Sequence, residues 1–289
     1  MLHGTEVPGL EAMTSIHTNT SAMIALQNLN KTSDQLAATQ SRVNTGLKVQ
    51  GAKDNAAVWA VAQGQRADRG ALEAVTTSLN RATSIADVSL AAGEQISDLL
   101  TELKAKATAA SDESATLAMR TSYNDEFQSL LKSIQSFADN AIFDGSNILD
   151  GSATAGINFL ASADGTETIT LNRQDMTLNG LGLGTTPAAP DLLTKANADA
   201  ALTRINTALS TSTANLAELG AQAKQIERHT TYVGKLSDAL EAGIGNLVDA
   251  DMAKESARLQ ALQVQQQLGV QALSIANQAP QIILSLFKG

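Results

Sequence analysis

Apolar positions recur at alternating steps of three and four along most of the chain, the spacing at which residues share one face of a helix. Downstream of Ile16 the series is Leu26, Leu29, Ser33, Leu36, Gln40 and Val43. Ser33 and Gln40 occupy seam positions that a self-sufficient coiled coil fills with Leu or Ile, so this helix needs partners. Thr45, Gly46, Gly51, Asp54 and Asn55 interrupt the pattern before a second helical stretch opens at Ala56. That stretch carries Val58, Val61, Leu72, Val75, Leu79 and Ala82, breaks near Gly93, and resumes with Ile96, Leu99, Leu103 and Ala107, as one long helix or two abutting ones. Past a turn at Ala110 to Ser114, Tyr123, Phe127, Leu130, Ile134 and Phe137 form the next stripe, which completes an antiparallel helical hairpin.

Between Asn140 and Pro190 the rhythm gives way to glycine and threonine. Short runs at Gly156 to Leu160, Glu167 to Leu171 and Met176 to Leu178, with a turn at Asp164-Gly165, predict one β-hairpin and a loop. The strongest periodic signal follows: Leu202, Ile205, Leu209, Ser212, Leu216, Leu219, Ala223, Ile226, Thr230 and Val233. Gly243 and Gly245 interrupt it, and Asp249 or Asp251 can cap a new helix. Met252, Glu255, Leu259, Leu262, Gln266, Gly269, Leu273 and Ala276 then hold the same spacing, so the chain ends as it begins, in a weakly apolar seam.

Composition narrows the class. The chain has 289 residues, 43% hydrophobic but only 3% aromatic, and an apolar mass of Ala, Leu, Val and Ile suits closely spaced helices better than a sandwich or a cofactor pocket. A net charge of -9 removes the basic footprint of a nucleic-acid binder. The absence of cysteine removes disulfides, thiolate catalysis and thiolate metal sites. Met1 to Ala12 lacks the basic start and apolar stretch of a secretory signal peptide, and no apolar run is long enough to span a bilayer.

Candidate chemistry is sparse. His3, His17 and His229 are far apart and none belongs to an HExxH or HxxxH pattern. The acidic pairs Asp112/Glu113 and Asp249/Asp251 fall where turns and helix starts are expected, so capping outweighs acid-base work. Gly180, Gly182 and Gly184 imitate part of a phosphate-binding loop, yet Thr185-Thr186-Pro187 follows where a helix is required. No catalytic residue, cofactor or metal is expected, and the chain reads as a non-enzyme built for assembly.

The letters at both ends are more specific. Ser15 to Thr20 with Ala25-Leu26, then Arg42-Val43-Asn44-Thr45-Gly46-Leu47-Lys48-Val49 and Gly51 to Ala57 including Asp54, resemble the N-terminal region of bacterial flagellins. Val248-Asp249-Ala250-Asp251-Met252-Ala253-Lys254-Glu255-Ser256, Leu259 to Leu262 and Gln271 to Asn277 resemble their C-terminal signature. The resemblance implies a mainly α fold: an elongated coiled-coil helical bundle with a small β-hairpin region and paired N- and C-termini. It implies an inner core from residues 13–50 and 243–289, and an outer core from 51–242 with the hairpin at about 140–190. The assembly seam would comprise Leu26, Leu29, Leu36, Val43, Leu259, Leu262, Leu273 and Ala276, and the family motif Arg42, Asn44, Gly46, Asp54, Asp249, Asp251, Glu255 and Asn277. It further implies a secreted subunit, exported unfolded through a type III apparatus, that polymerises into the extracellular flagellar filament. Its partners would be its own copies or sister flagellins, an export chaperone, the filament cap and hook-junction proteins. The alternatives are a hook-filament junction protein, whose larger central domain the length argues against, and a flagellin-like surface protein binding a glycan. Two positions depart from the family pattern. The family start aligns with Met13, so Met1 to Ala12 is additional, and Pro280 lies in the last helix, where it predicts a kink or an end unless a new helix begins there.

Overall fold

The computed structural model describes residues 18–152, 154–184 and 189–286, with side-chain surroundings to residue 278. Met1 to Ala12, Ser15, Ile16, His17 and Thr185 to Pro187 lie outside the described residues. Among the described residues the order is α1 (Thr20–Thr45), α2 (Ala56–Ala110), α3 (Leu117–Asn140), β1 (Ile142–Phe143), β2 (Ser146–Asn147), β3 (Ile157–Leu160), β4 (Thr168–Leu171), α4 (Lys195–Val248) and α5 (Met252–Leu286). The fold is therefore mainly α. It divides into two compact units, one from residues up to Gln65 together with those from Ala242, the other from Arg66 to Glu241.

The Arg66–Glu241 unit has a continuous apolar core. Leu72, Val75, Leu79, Ile96, Leu100 and Leu103 of α2 meet Phe127, Leu131, Ile134 and Ala138 of α3 and Ala201, Ile205, Ala208, Leu219 and Ile226 of α4. The break expected near Gly93 is absent, because this glycine serves packing and leaves the helix intact. A Cβ built there would come within 2.6 Å of Leu216 Cδ2 on α4. Gly93 beside Leu216, and Arg69 paired with Glu241 at 3.7 Å, set α2 and α4 antiparallel.

α4 likewise runs through Gly243 and Gly245, each costing roughly 1 kcal/mol relative to alanine without breaking the ladder. On α3 the fully buried line runs through Phe127, Leu131, Ile134 and Ala138, with Tyr123 and Leu130 half-buried against the core and Phe137 exposed. The turn before α3 is held by the Asp112 carboxylate, which accepts from Ser114 N at 2.8 Å, and by Arg120, which donates to the Ala110 and Asp112 carbonyls.

Residues 141–152 and 154–184 form short strands and turns. β3 and β4 pair antiparallel with Ile157 opposite Leu171, around the expected Asp164-Gly165 turn. Met176 to Leu178 is not a strand. Met176 is buried and its N–H donates to the Leu149 carbonyl. A second hairpin, β1–β2, turns at Asp144 (φ 48°) and Gly145 (φ 73°). In the Asn179 to Gly184 turn, the carbonyls of Gly182 and Gly184 accept from Arg204 at 2.8 and 3.0 Å, a contact that suits a cation and not a phosphate. His229 meets the Ala161 carbonyl through Nε2 at 2.7 Å, tying α4 to the β3–β4 connection.

Candidate assembly interface

In the other unit α1 and α5 lie antiparallel. Asn19 accepts from Ala22 N with its side chain and so caps α1, while its Nδ2 donates to the Ala276 carbonyl at 2.7 Å. Further along, Leu29 approaches Gly269 so closely that a Cβ there would lie 3.2 Å from Leu29 Cδ1, and Gln266 Nε2 reaches Ser33 Oγ at 3.4 Å. At the far end Arg42 faces Glu255 at 3.6 Å.

The seam of α5 follows the spacing expected of it: Glu255, Leu259, Leu262, Gln266, Gly269, Leu273 and Ala276 are all buried or half-buried. Met252, at the open first turn, is exposed. On α1 the seam is Ala25, Leu29, Ser33, Leu36, Thr39 and Val43. Leu26 and Gln40, expected in it, face solvent within the chain, because a helix turns 3.6 residues per turn and the closest line of approach passes through Ala25 and Thr39. Small side chains at these positions let the helices approach. Periodicity weighted toward large apolar residues misses them.

The two sequence motifs fold onto one another. Gly46 takes a left-handed φ of 72° and ends α1, its N–H donating to the Arg42 carbonyl. The chain then turns beside the segment between α4 and α5. Lys48 N donates to the Val248 carbonyl at 2.7 Å, Ala250 N donates to the Gly46 carbonyl at 2.8 Å, and Leu47 bridges Asp249. Lys48 Nζ adds a bond to the Asn246 carbonyl at 3.0 Å, a link that no sequence spacing announces. Of the two aspartates able to cap α5, Asp251 does so, accepting from the N–H groups of Ala253 and Lys254. Asp54 holds its own turn by accepting from the N–H groups of Gln50 and Gly51. Beneath the clasp Val49, Ala62, Ile244 and Val248 form a small core edged by Leu47, Val58, Trp59 and Leu247. Asn44 and Asn277 are exposed. α5 continues past Pro280 to Leu286, so the proline, which removes a single rung of the ladder, does not end the helix.

Two features make this unit a surface for further contact. Its internal seam is half polar: Thr39 is buried, and Glu255 is buried with Oε2 lacking any hydrogen-bond partner. Its outward faces carry exposed apolar side chains among polar ones: Met23, Ile24 and Leu26 on α1 and Val264, Leu268, Val270 and Ile275 on α5 are between 46 and 70% exposed. A shallow groove between the two helices, bordered by Ile24, Ala25, Leu268 and Ala272, continues that surface. Large apolar side chains left exposed beside such a groove make this face a candidate contact surface. No helix among the described residues is long and apolar enough to cross a membrane.

Known proteins resemble the chain in these same regions. The bacterial flagellin N-terminal helical region matches residues 16–154, and the bacterial flagellin C-terminal helical region matches residues 202–287. Flagellin FljM of Caulobacter vibrioides is 50% identical over 277 residues, covering 96% of this chain and 100% of that protein. A flagellin of Brucella melitensis biotype 1 is 39% identical over 286 residues, with 96% of this chain and 100% of that protein covered. A putative flagellar hook-associated protein from Vibrio parahaemolyticus shares the fold, with a TM-score of 0.55 and 13% identity over 68% of this chain and 100% of that chain. Matched at both helical ends and aligned along the whole length of these relatives, the chain belongs to the bacterial flagellin family.

Proposed function

We propose that this flagellin acts as the structural subunit of an extracellular flagellar filament, polymerising through the outward faces of α1 and α5. The observation that carries this reading is the pairing of a half-polar internal seam with exposed Met23, Ile24, Val264, Leu268 and Ile275. Such helices gain most of their stability from a packed face, and one partner helix covers too little of it. Neighbouring copies supply the rest. In this reading residues 13–50 and 243–289 form the inner core and residues 51–242 the outer core. Leu36, Leu262 and Leu273 hold the subunit's own helix pair, whereas Leu26 faces a neighbour. Arg42 with Glu255, Gly46 with Ala250, and Leu47 with Asp249 fix the register between the two ends.

Delivery follows from the same geometry. A subunit with adhesive ends is best exported unfolded and chaperoned, then placed beneath a filament cap on a base of hook-junction proteins. The protein is structural, and the hook-filament junction alternative is not favoured, because the relatives aligned end to end are flagellins. Seeded growth tests the reading. Purified monomer added to short filament fragments should elongate them, as seen by electron microscopy and sedimentation. Monomer that stays soluble above seeds at every concentration would refute it.

A further inference from the structure

Two rows of unpaired charge lie on the Arg66–Glu241 unit, outside the terminal pair. On α2, Asp87, Glu94 and Asp98 are exposed, and steps of seven and four residues keep them in one narrow band of the helix. On α4, Lys224, Arg228 and Lys235 are exposed and share a band by steps of four and seven. Each row lies on the side of its helix away from the buried stripe, which passes through Ile96 and Leu100 on α2 and Ile226 and Val233 on α4. Among the described residues none of the six makes an ion pair or hydrogen bond. Glu227 and Asp238 flank the basic row without pairing to it.

The rows match in sign and in spacing. From Lys224 through Arg228 to Lys235 the steps are four and seven, and from Asp98 through Glu94 to Asp87 they are again four and seven. Such rows mesh only when the helices run in opposite directions. α2 and α4 are antiparallel within the chain, so a second copy in the same orientation presents its α4 antiparallel to the first copy's α2. Gly93 beside Leu216 and Arg69 beside Glu241 put Lys224 level with about residue 85 of its own α2. Reaching Asp98 of another copy therefore requires an axial displacement of about 20 Å at the helical rise.

We infer that the Asp87-Glu94-Asp98 row of one copy docks on the Lys224-Arg228-Lys235 row of a neighbour displaced by about 20 Å along the helix axis. The inference rests on the filament reading and adds a second, electrostatic contact to the apolar one. The contact is heterologous, with different surfaces on the two copies. It therefore leaves one row of each kind open at the ends and propagates from copy to copy, as an open filament requires. In a chain of net charge -9, the basic row also offers an acidic neighbour a local attraction that orients its approach.

Charge reversal tests the pairing. One variant carries Lys224→Glu, Arg228→Glu and Lys235→Glu, a second carries Asp87→Lys, Glu94→Lys and Asp98→Lys, and a third carries all six. Each is added to parental filament fragments alone and in the absence of seeds, and its monomer melt is recorded. Either triple alone should raise the critical concentration for growth by about tenfold or more, and the sixfold variant should polymerise in the absence of seeds nearly as the parent does. Restored growth also shows that all six substitutions leave the fold intact. Triples that polymerise like the parent, or a sixfold variant that remains as defective as the triples, would overturn the pairing while parental growth upholds the filament reading. A parent that fails to grow would overturn both.

Discussion

The terminal helix pair and the Arg66–Glu241 unit are built from the same helical alphabet, yet they bury it differently. In the larger unit Leu79, Ile96, Leu100, Leu103, Phe127 and Ile134 are wholly enclosed by three helices and a strand layer. Along α1 and the described part of α5 the buried side chains are Leu36, Thr39, Glu255 and Leu262, of which two are polar. One region finishes its core within a single chain. The other stops halfway and keeps its remaining apolar side chains outward, so on the filament reading its stability rises with the concentration of neighbouring copies.

Leu262→Asp should separate the two regions most sharply. It forfeits roughly 1.5–3 kcal/mol of leucine burial and adds the several kcal/mol of a desolvated carboxylate, in every subunit of the polymer. Seeded growth should cease while the far-UV melt of the monomer's main transition stays within a few degrees of the parent. Normal filaments, or a transition lowered by many degrees, would break the contrast. Phe127→Ala is the converse. Emptying the largest fully buried side chain should lower unfolding free energy by about 3–5 kcal/mol in a denaturant titration. A loss below about 1 kcal/mol would show that the larger core is looser than its burial indicates.

How far these regions were legible from the letters follows from what periodicity measures. It reads large apolar side chains, so the α5 seam from Leu259 to Ala276 and the core stripe of α2 emerge directly. It cannot decide between adjacent positions where the line runs through small or polar residues, which is why strict steps of three and four chose Leu26 and Gln40 over Ala25 and Thr39. It also misjudges glycine. Gly93 signals a break by propensity but admits Leu216 by its missing side chain, and only the opposing helix reveals which role applies. The β1–β2 hairpin did have a local signal, Asp144-Gly145, a pair suited to two successive positive φ values. Its strands, at two residues each, are too short to alternate visibly. The motif residues at the two ends were legible as letters, whereas their pairing with each other, Arg42 with Glu255 and Gly46 with the Asp249 segment, exists only in three dimensions.

Smaller effects sharpen the comparison. Asp251→Ala removes the cap of α5 and should cost about 0.5–2 kcal/mol, confined to the clasp. Trp59, the chain's single tryptophan, sits beside that clasp, so its fluorescence should report an earlier transition while the far-UV melt of the larger unit holds. Coincident shifts of both signals would contradict independent behaviour. The smallest effect is acid sensitivity. Asp112 is held below its ordinary value of 3.8 by the Ser114 N–H, the Ser114 hydroxyl and the Arg120 charge. A carboxylate with a depressed folded pKa contributes stability above its unfolded value and loses it as pH falls through the folded one. Asp112→Asn should therefore leave a slightly shallower decline of melting temperature below about pH 4, and no change in slope near neutrality. A steeper acid decline in the variant would reverse the sign.

The bond from Asn19 to the Ala276 carbonyl joins positions 257 residues apart. A contact of such high contact order carries a large loop-closure entropy and closes late in folding. Until nearly the whole length of the chain is present, α1 has no α5 to pair with. A product truncated before α5 would carry Met23, Ile24 and Leu26 but lack Val264, Leu268 and Ile275, half of the adhesive surface with no internal partner to align it. The closure of α1 on α5 is thus a contact that only a chain carrying both ends can make.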